Sequence, residues 1–95
     1  MYLHLGQDIV VKTEEVLGIF DLDTATISKN TRNYLAHAEK QGWVVNVSTE
    51  LPKSFVVCST QGDGPARVTV YISQISSTTL LKRTGYIDGI SNVNI

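Results

Sequence analysis

Every apolar run in this chain is short. Ile9-Val10-Val11, Val16-Leu17-Gly18-Ile19-Phe20, Phe55-Val56-Val57-Cys58 and Val68-Thr69-Val70-Tyr71-Ile72 are each of strand length. None approaches the ~18 apolar residues that a membrane-spanning helix needs. Short β-branched runs broken by turn residues point to a small sheet. Hydrophobic residues are 42% of the 95 and charged residues 18%. That is enough apolar surface for one core and too little chain for a second domain. Seven Gly and two Pro exclude a low-complexity chain. The N-terminal residues have no basic flank and no long apolar run, so no signal peptide is expected. A single cysteine cannot form an internal disulfide, and the expected compartment is the cytoplasm.

The chain opens as strand, turn, strand: Tyr2-Leu3-His4-Leu5, then Gly6-Gln7, then residues 8–12. Thr13-Glu14-Glu15 suits a helical turn, but the apolar run 16–22 follows at once. A tight turn and then a buried strand are expected, with Gly18 marking a bulge or a close backbone approach. Ile27, Thr31, Tyr34, Leu35 and Ala38 recur at helical spacing. Thr24 or Ser28 can cap that helix, and Gly42 sits where its end wants φ > 0. Trp43 to Ser48 returns to strand composition, so a strand–helix–strand crossover is possible. Residues 54–59 and 66–72 are the clearest strands, joined by a flexible tip at 60–65. In the second, Arg67 and Thr69 alternate with Val68, Val70 and Ile72. Ser76 or Ser77 can cap a short helix over 78–84, with Leu80 and Leu81 on its apolar side and Gly85 at its end.

The expected fold class is therefore α+β. It has a mainly antiparallel sheet of about six short strands, one central helix on one face, and a short C-terminal helix. Residues 1–85 form the single domain, and 86–95 a tail without a period. The strand at 54–59 is apolar enough to attract pairing if it lies on an edge, and oligomerisation cures an exposed edge.

Net charge is −1 and the isoelectric point is near 6.0, without the basic excess of a free-standing nucleic-acid binder. The distribution is more polarised than the sum. Residues 8–23 hold five acids and one base, or −4, whereas 24–83 hold seven bases and three acids, or +4. Scattered surface charge accounts for this. So does a protomer whose acidic face meets a neighbour's basic face.

Few side chains carry chemistry. His4 and His37 have no partner at metal-ligand spacing, and Cys58 sits inside a strand with no activating base beside it. The close acids Glu14/Glu15 and Asp21/Asp23 have nothing to frame them as an acid–base couple. No phosphate-loop motif is present. Neither enzymatic activity nor a cofactor, metal or small-molecule substrate is expected. Lys53, behind Pro52, projects a cation from a stiff loop. The hydroxyls of Ser76-Ser77-Thr78-Thr79 suit an anion at a helix start, though capping alone explains them.

Taken in order, several stretches resemble the bacterial extracellular-matrix regulators, and among them the RemB-like branch. They are Met1-Tyr2-Leu3-His4-Leu5-Gly6, Asp8-Ile9-Val10-Val11, Gly18-Ile19-Phe20-Asp21, Pro52-Lys53-Ser54-Phe55-Val56-Val57 and Ile75-Ser76-Ser77-Thr78-Thr79-Leu80-Leu81-Lys82-Arg83. The resemblance implies a DNA-binding transcription regulator of biofilm matrix genes, with protomers in rings whose arrayed bases contact DNA. Repetition makes a near-neutral protomer compatible with that role, since many weak phosphate contacts add. By its place before a strand, Lys53 inherits the DNA-contacting position. Arg67, Lys12 and Arg32 join it on charge alone. The chain departs from the RemA-like pattern in two places. The loop that is arginine-rich there holds only Lys53 beside Glu50, and Glu14-Glu15 stand where an arginine is usual. The expected partners are DNA and further copies of the chain, with no membrane. The alternative is an oligomeric interaction module that recruits a protein and binds no DNA.

Overall fold

The structure is a computed structural model that describes residues 1–22, 28–60 and 62–84. A hairpin comes first: β1 (Tyr2–Gly6) pairs antiparallel with β2 (Ile9–Lys12). Gly6 and Gln7 turn the chain with φ of 119° and 48°, left-handed values that favour glycine at the first position. Thr13–Glu15 form one 3₁₀ turn with no side-chain cap, and β3 (Val16–Asp21) follows directly. Val16 pairs with Cys58 and Gly18 with Val57, so Leu17 is an extra, bulged residue. A Cβ on Gly18 would lie 2.6 Å from the Phe20 ring. The glycine therefore marks both a bulge and a close approach.

Helix α1 (Lys29–Lys40) begins at Ser28, whose Oγ accepts the Thr31 N–H at 3.1 Å. Past its end, Gly42 adopts φ 77°, as a helix C-terminus requires. Next come β4 (Val44–Asn46), β5 (Ser54–Ser59) and β6 (Val68–Ser73). Helix α2 (Ser77–Thr84) is capped by Ser76, whose Oγ accepts the Thr79 N–H at 3.2 Å. The expectations placed on Asp23, Thr24, Ile27, Gln61, Gly85 and residues 86–95 lie outside the described residues.

The six strands form two sheets: the β1–β2 hairpin and a four-stranded sheet in the order β3-β5-β6-β4. The larger sheet is mixed. β5 runs antiparallel to both β3 and β6, but β4 runs parallel to β6. β3 and β4 therefore point the same way at opposite edges, joined through α1 in the expected crossover. Two expectations are corrected. β5 is an interior strand with its first five residues buried, so it offers no edge. The run expected to be a buried strand is instead an edge strand, with Leu17 63% and Phe20 46% exposed.

Three layers result, so the sheet is covered on both faces rather than by a helix on one. Val57 and Phe55 of β5 and Val70 of β6 face α1, where Ala38 and Leu35 pack on them. Val56 and Cys58 point the opposite way, toward Leu3, Leu5 and Val11 of the hairpin and Leu80 of α2. The alternation along β5 is the period-2 geometry of a strand buried on both sides. Two fully buried serines fasten the layers. Ser73 donates from Oγ to the Leu5 carbonyl at 2.7 Å and accepts the Ile75 N–H at 3.0 Å. Ser54 donates to the Ile75 carbonyl at 2.7 Å.

Candidate interaction surface

The four expected DNA-contacting bases are exposed, but they do not share a face. Lys53 enters β5, and its backbone bonds the ends of the neighbouring strands: its N–H donates to Ser73 and its carbonyl accepts from Leu22. Arg67 enters β6 at the other end, where its N–H donates to Thr60 Oγ1 at 3.0 Å. Because Ser54 pairs with Ser73 and Ser59 with Val68, the length of a strand separates the two bases, about 20 Å at ~3.3 Å per residue. Lys12 ends β2 in the hairpin layer, whereas Arg32 lies on α1 across the sheet. One protomer thus presents these bases on several sides.

The titratable groups are arranged for structure. The hydrogen bond from the Met1 ammonium at 3.3 Å, with a second from Thr13, holds the Glu14 carboxyl below its ordinary range. Burial pushes the Cys58 thiol up to about 11, so a nucleophilic thiolate is disfavoured. Burial also raises the Tyr71 phenol. His4 Nε2 lies 2.8 Å from the Gln7 carbonyl, and Arg83 donates to the His4 carbonyl at 3.0 Å. His37 meets the edge of Trp43. Among the described residues no group of acids, histidines and cysteine is placed to hold a metal. No helix among them is long and apolar enough to cross a membrane.

What stands out is the edge strand β3. Leu17 and Phe20 are exposed there, and Tyr34 of α1 lies close by. Phe20 stacks on Phe55 with ring centroids 4.8 Å apart, so its inner side is packed and its outer side open. A hollow of about 360 Å³ lies between β3 and α1, bounded by Leu17, Phe20 and Tyr34. A second, of about 520 Å³, lies between β3 and α2, bounded by Leu17, Ile19 and Leu81. Leu17 reaches both because the bulge turns it out of the regular alternation. Sequence reasoning missed this edge, since a short apolar run looks alike in an interior and an edge strand. The bulge signalled by Gly18 was the available clue, because bulges concentrate at sheet edges.

No protein-family model matches the chain. It is 36% identical over 86 residues to the extracellular matrix regulatory protein B of Bacillus subtilis (strain 168), an alignment covering 90% of this chain and 93% of the relative. The chain belongs to the extracellular matrix regulatory protein B family. The coverage runs through both sheets and both helices, so the resemblance carried by separate short stretches extends to a common domain. In this member of the family, the Lys53 loop, the bulged edge at Leu17 and the Arg67 loop are three separate surfaces of one sheet.

Proposed function

We propose that this protein regulates extracellular-matrix genes as a homo-oligomer that binds DNA through bases repeated around the assembly. Membership of the matrix-regulator family carries the reading. The placement of the bases supports the requirement for many copies. With Lys53 and Arg67 a strand length apart and Lys12 and Arg32 in different layers, these four bases of one protomer cannot line a single DNA face together. A closed assembly repeats each cation at a fixed spacing, and the counterions released then add across copies. Lys53 is the foremost phosphate-contacting base, and Arg32 and Lys12 add cations on other exposed surfaces of the protomer. Nothing in this reading requires a cofactor, a metal or a chemical step, and the protein acts in the cytoplasm.

Mobility shifts against matrix-gene promoter fragments across a salt series test it. Lys53→Ala is expected to weaken binding and to flatten the dependence of log K on log salt, by up to ~0.9 for each phosphate that a bound copy no longer neutralises. Unchanged affinity and slope in the combined Lys53→Ala, Arg32→Ala and Lys12→Ala protein would remove this DNA surface. The acidic segment from Asp8 to Asp23 and the low isoelectric point favour a second reading, an assembly that recruits a protein partner. An oligomer that binds no promoter fragment at low salt would select it.

A further inference from the structure

We propose that copies of this chain join head to tail through unlike sheet edges, β3 of one protomer lying beside β4 of the next. The inference rests on the self-association in the functional reading and names the surfaces that perform it. β3 and β4 are the two edges of the four-stranded sheet. An exposed apolar edge is a template for another strand. β3 carries Leu17 and Phe20 outward, 63% and 46% exposed, and β4 carries Val45, 36% exposed. Beside Val45, a hollow of about 520 Å³ is bounded by Trp43, Val68 and Arg67. On either side of β4, the Trp43 carbonyl and the Val47 N–H are bonded to β6. The alternation of a parallel ladder therefore turns the backbone groups of Val44 and Asn46 out of the sheet. Beyond its bulge, β3 is regular from Gly18 to Asp21, long enough to match a strand of three residues.

Charge disfavours the symmetric pairing of two β3 edges. Glu14 and Glu15 lead into β3, and Asp21 ends it. A symmetric β3–β3 joint would run antiparallel and set the Glu14/Glu15 end of each copy against the Asp21 of the other. Like charges would then meet at both ends. The head-to-tail joint avoids this. Val16 at the start of β3 pairs with Cys58, and Cys58 pairs with Thr69. Arg67 therefore lies at the same end of the sheet as Glu14 and Glu15. Since β3 and β4 point the same way, a neighbour related by rotation about the strand direction sets its Glu14/Glu15 end beside Arg67. Such an interface is heterologous and closes into a ring when the rotation divides a full turn. Arg67 then serves the joint rather than the DNA.

Three exposed positions test this: Leu17→Lys blocks β3, while Val45→Lys and Arg67→Glu block β4. Circular dichroism selects the variants that keep the wild-type fold, and light scattering reads the mass. The wild type is expected at a multiple of the 10.4 kDa protomer, and each variant at the protomer mass. Mixing is the decisive step. Leu17→Lys with either β4 variant leaves one good joint and is expected to give a species of twice the protomer mass. Val45→Lys with Arg67→Glu is expected to give none. A Leu17→Lys mixture that stays at the protomer mass, or β4 variants that keep the wild-type mass, overturns the unlike-edge joint while self-association stands. A wild type at the protomer mass overturns both.

Discussion

Ser73 joins three parts of the fold through one hydroxyl, and replacing it with alanine tests the layered packing. Its Oγ donates to the Leu5 carbonyl in β1 at 2.7 Å and accepts the Ile75 N–H on the way into α2 at 3.0 Å, and the residue is fully buried. Alanine fits the same space, so the cavity cost is small. The loss comes from the buried Leu5 carbonyl and the part-buried Ile75 N–H, each left without this partner. Each stranded group costs roughly 1–3 kcal/mol, so the change is expected to destabilise the fold by about 2–4 kcal/mol. Ser28→Ala is the control. It also removes a serine acceptor, but at an exposed helix cap where water replaces the bond, and it should cost about 1 kcal/mol. Urea unfolding at one fixed protomer concentration measures both, because the proposed assembly would make apparent stability depend on concentration. Equal losses in the two variants, or a Ser73→Ala loss under about 0.5 kcal/mol, would refute the claim that this hydroxyl ties the hairpin to the sheet.

The Cys58 thiol is expected to resist a thiol reagent at pH 8 in the folded protein and to label promptly in urea. Its ionisation is raised from the ordinary 9.0 to about 11. The folded state thus keeps a proton that the unfolded chain releases. This contribution to stability is complete below pH 9 and is lost as pH rises from 9 to 11. A midpoint of urea unfolding that Cys58→Ala leaves equally sensitive to pH in that window would contradict the assignment. Gly18→Ala places a methyl 2.6 Å from the Phe20 ring and must displace it from Phe55. The loss of that stack is expected to cost about 1 kcal/mol and to shift the aromatic proton resonances of both rings. Unmoved resonances would show that the ring is not held over the glycine.

Local chemistry was legible in the sequence wherever one residue decides it. Gly42 at positive φ and Gly18 at a bulge follow from what a missing side chain permits, and the hydroxyls narrowed the caps to Thr24 or Ser28 and to Ser76 or Ser77, of which Ser28 and Ser76 make the bonds. The order of strands was not legible. The apolar runs in β3 and β5 have the same length and similar composition, yet β5 is interior and β3 an edge. Which is which depends on partners distant in sequence. The parallel pairing of β4 with β6 arises from the α1 crossover and leaves no mark on Val44–Asn46 themselves. Ser54 and Ser73 look like ordinary strand-end polar residues, and only the third dimension places carbonyls of Leu5 and Ile75 within their reach. The same limit governs the surface. Counting charges along the chain left scattered surface charge and a polarised protomer both open. Where the bases fall depends on strand direction, which sends Lys53 and Arg67 to opposite ends of one sheet.

The proposed function makes copy number central to DNA binding, since Lys53, Arg67, Lys12 and Arg32 lie on several sides of one protomer. Light scattering of the purified protein, with and without a matrix-promoter fragment at low salt, tests it most directly. The expected result is a discrete multiple of 10.4 kDa by itself and a heavier species with the fragment that reverts as salt is raised. A mass of one protomer under both conditions would contradict it.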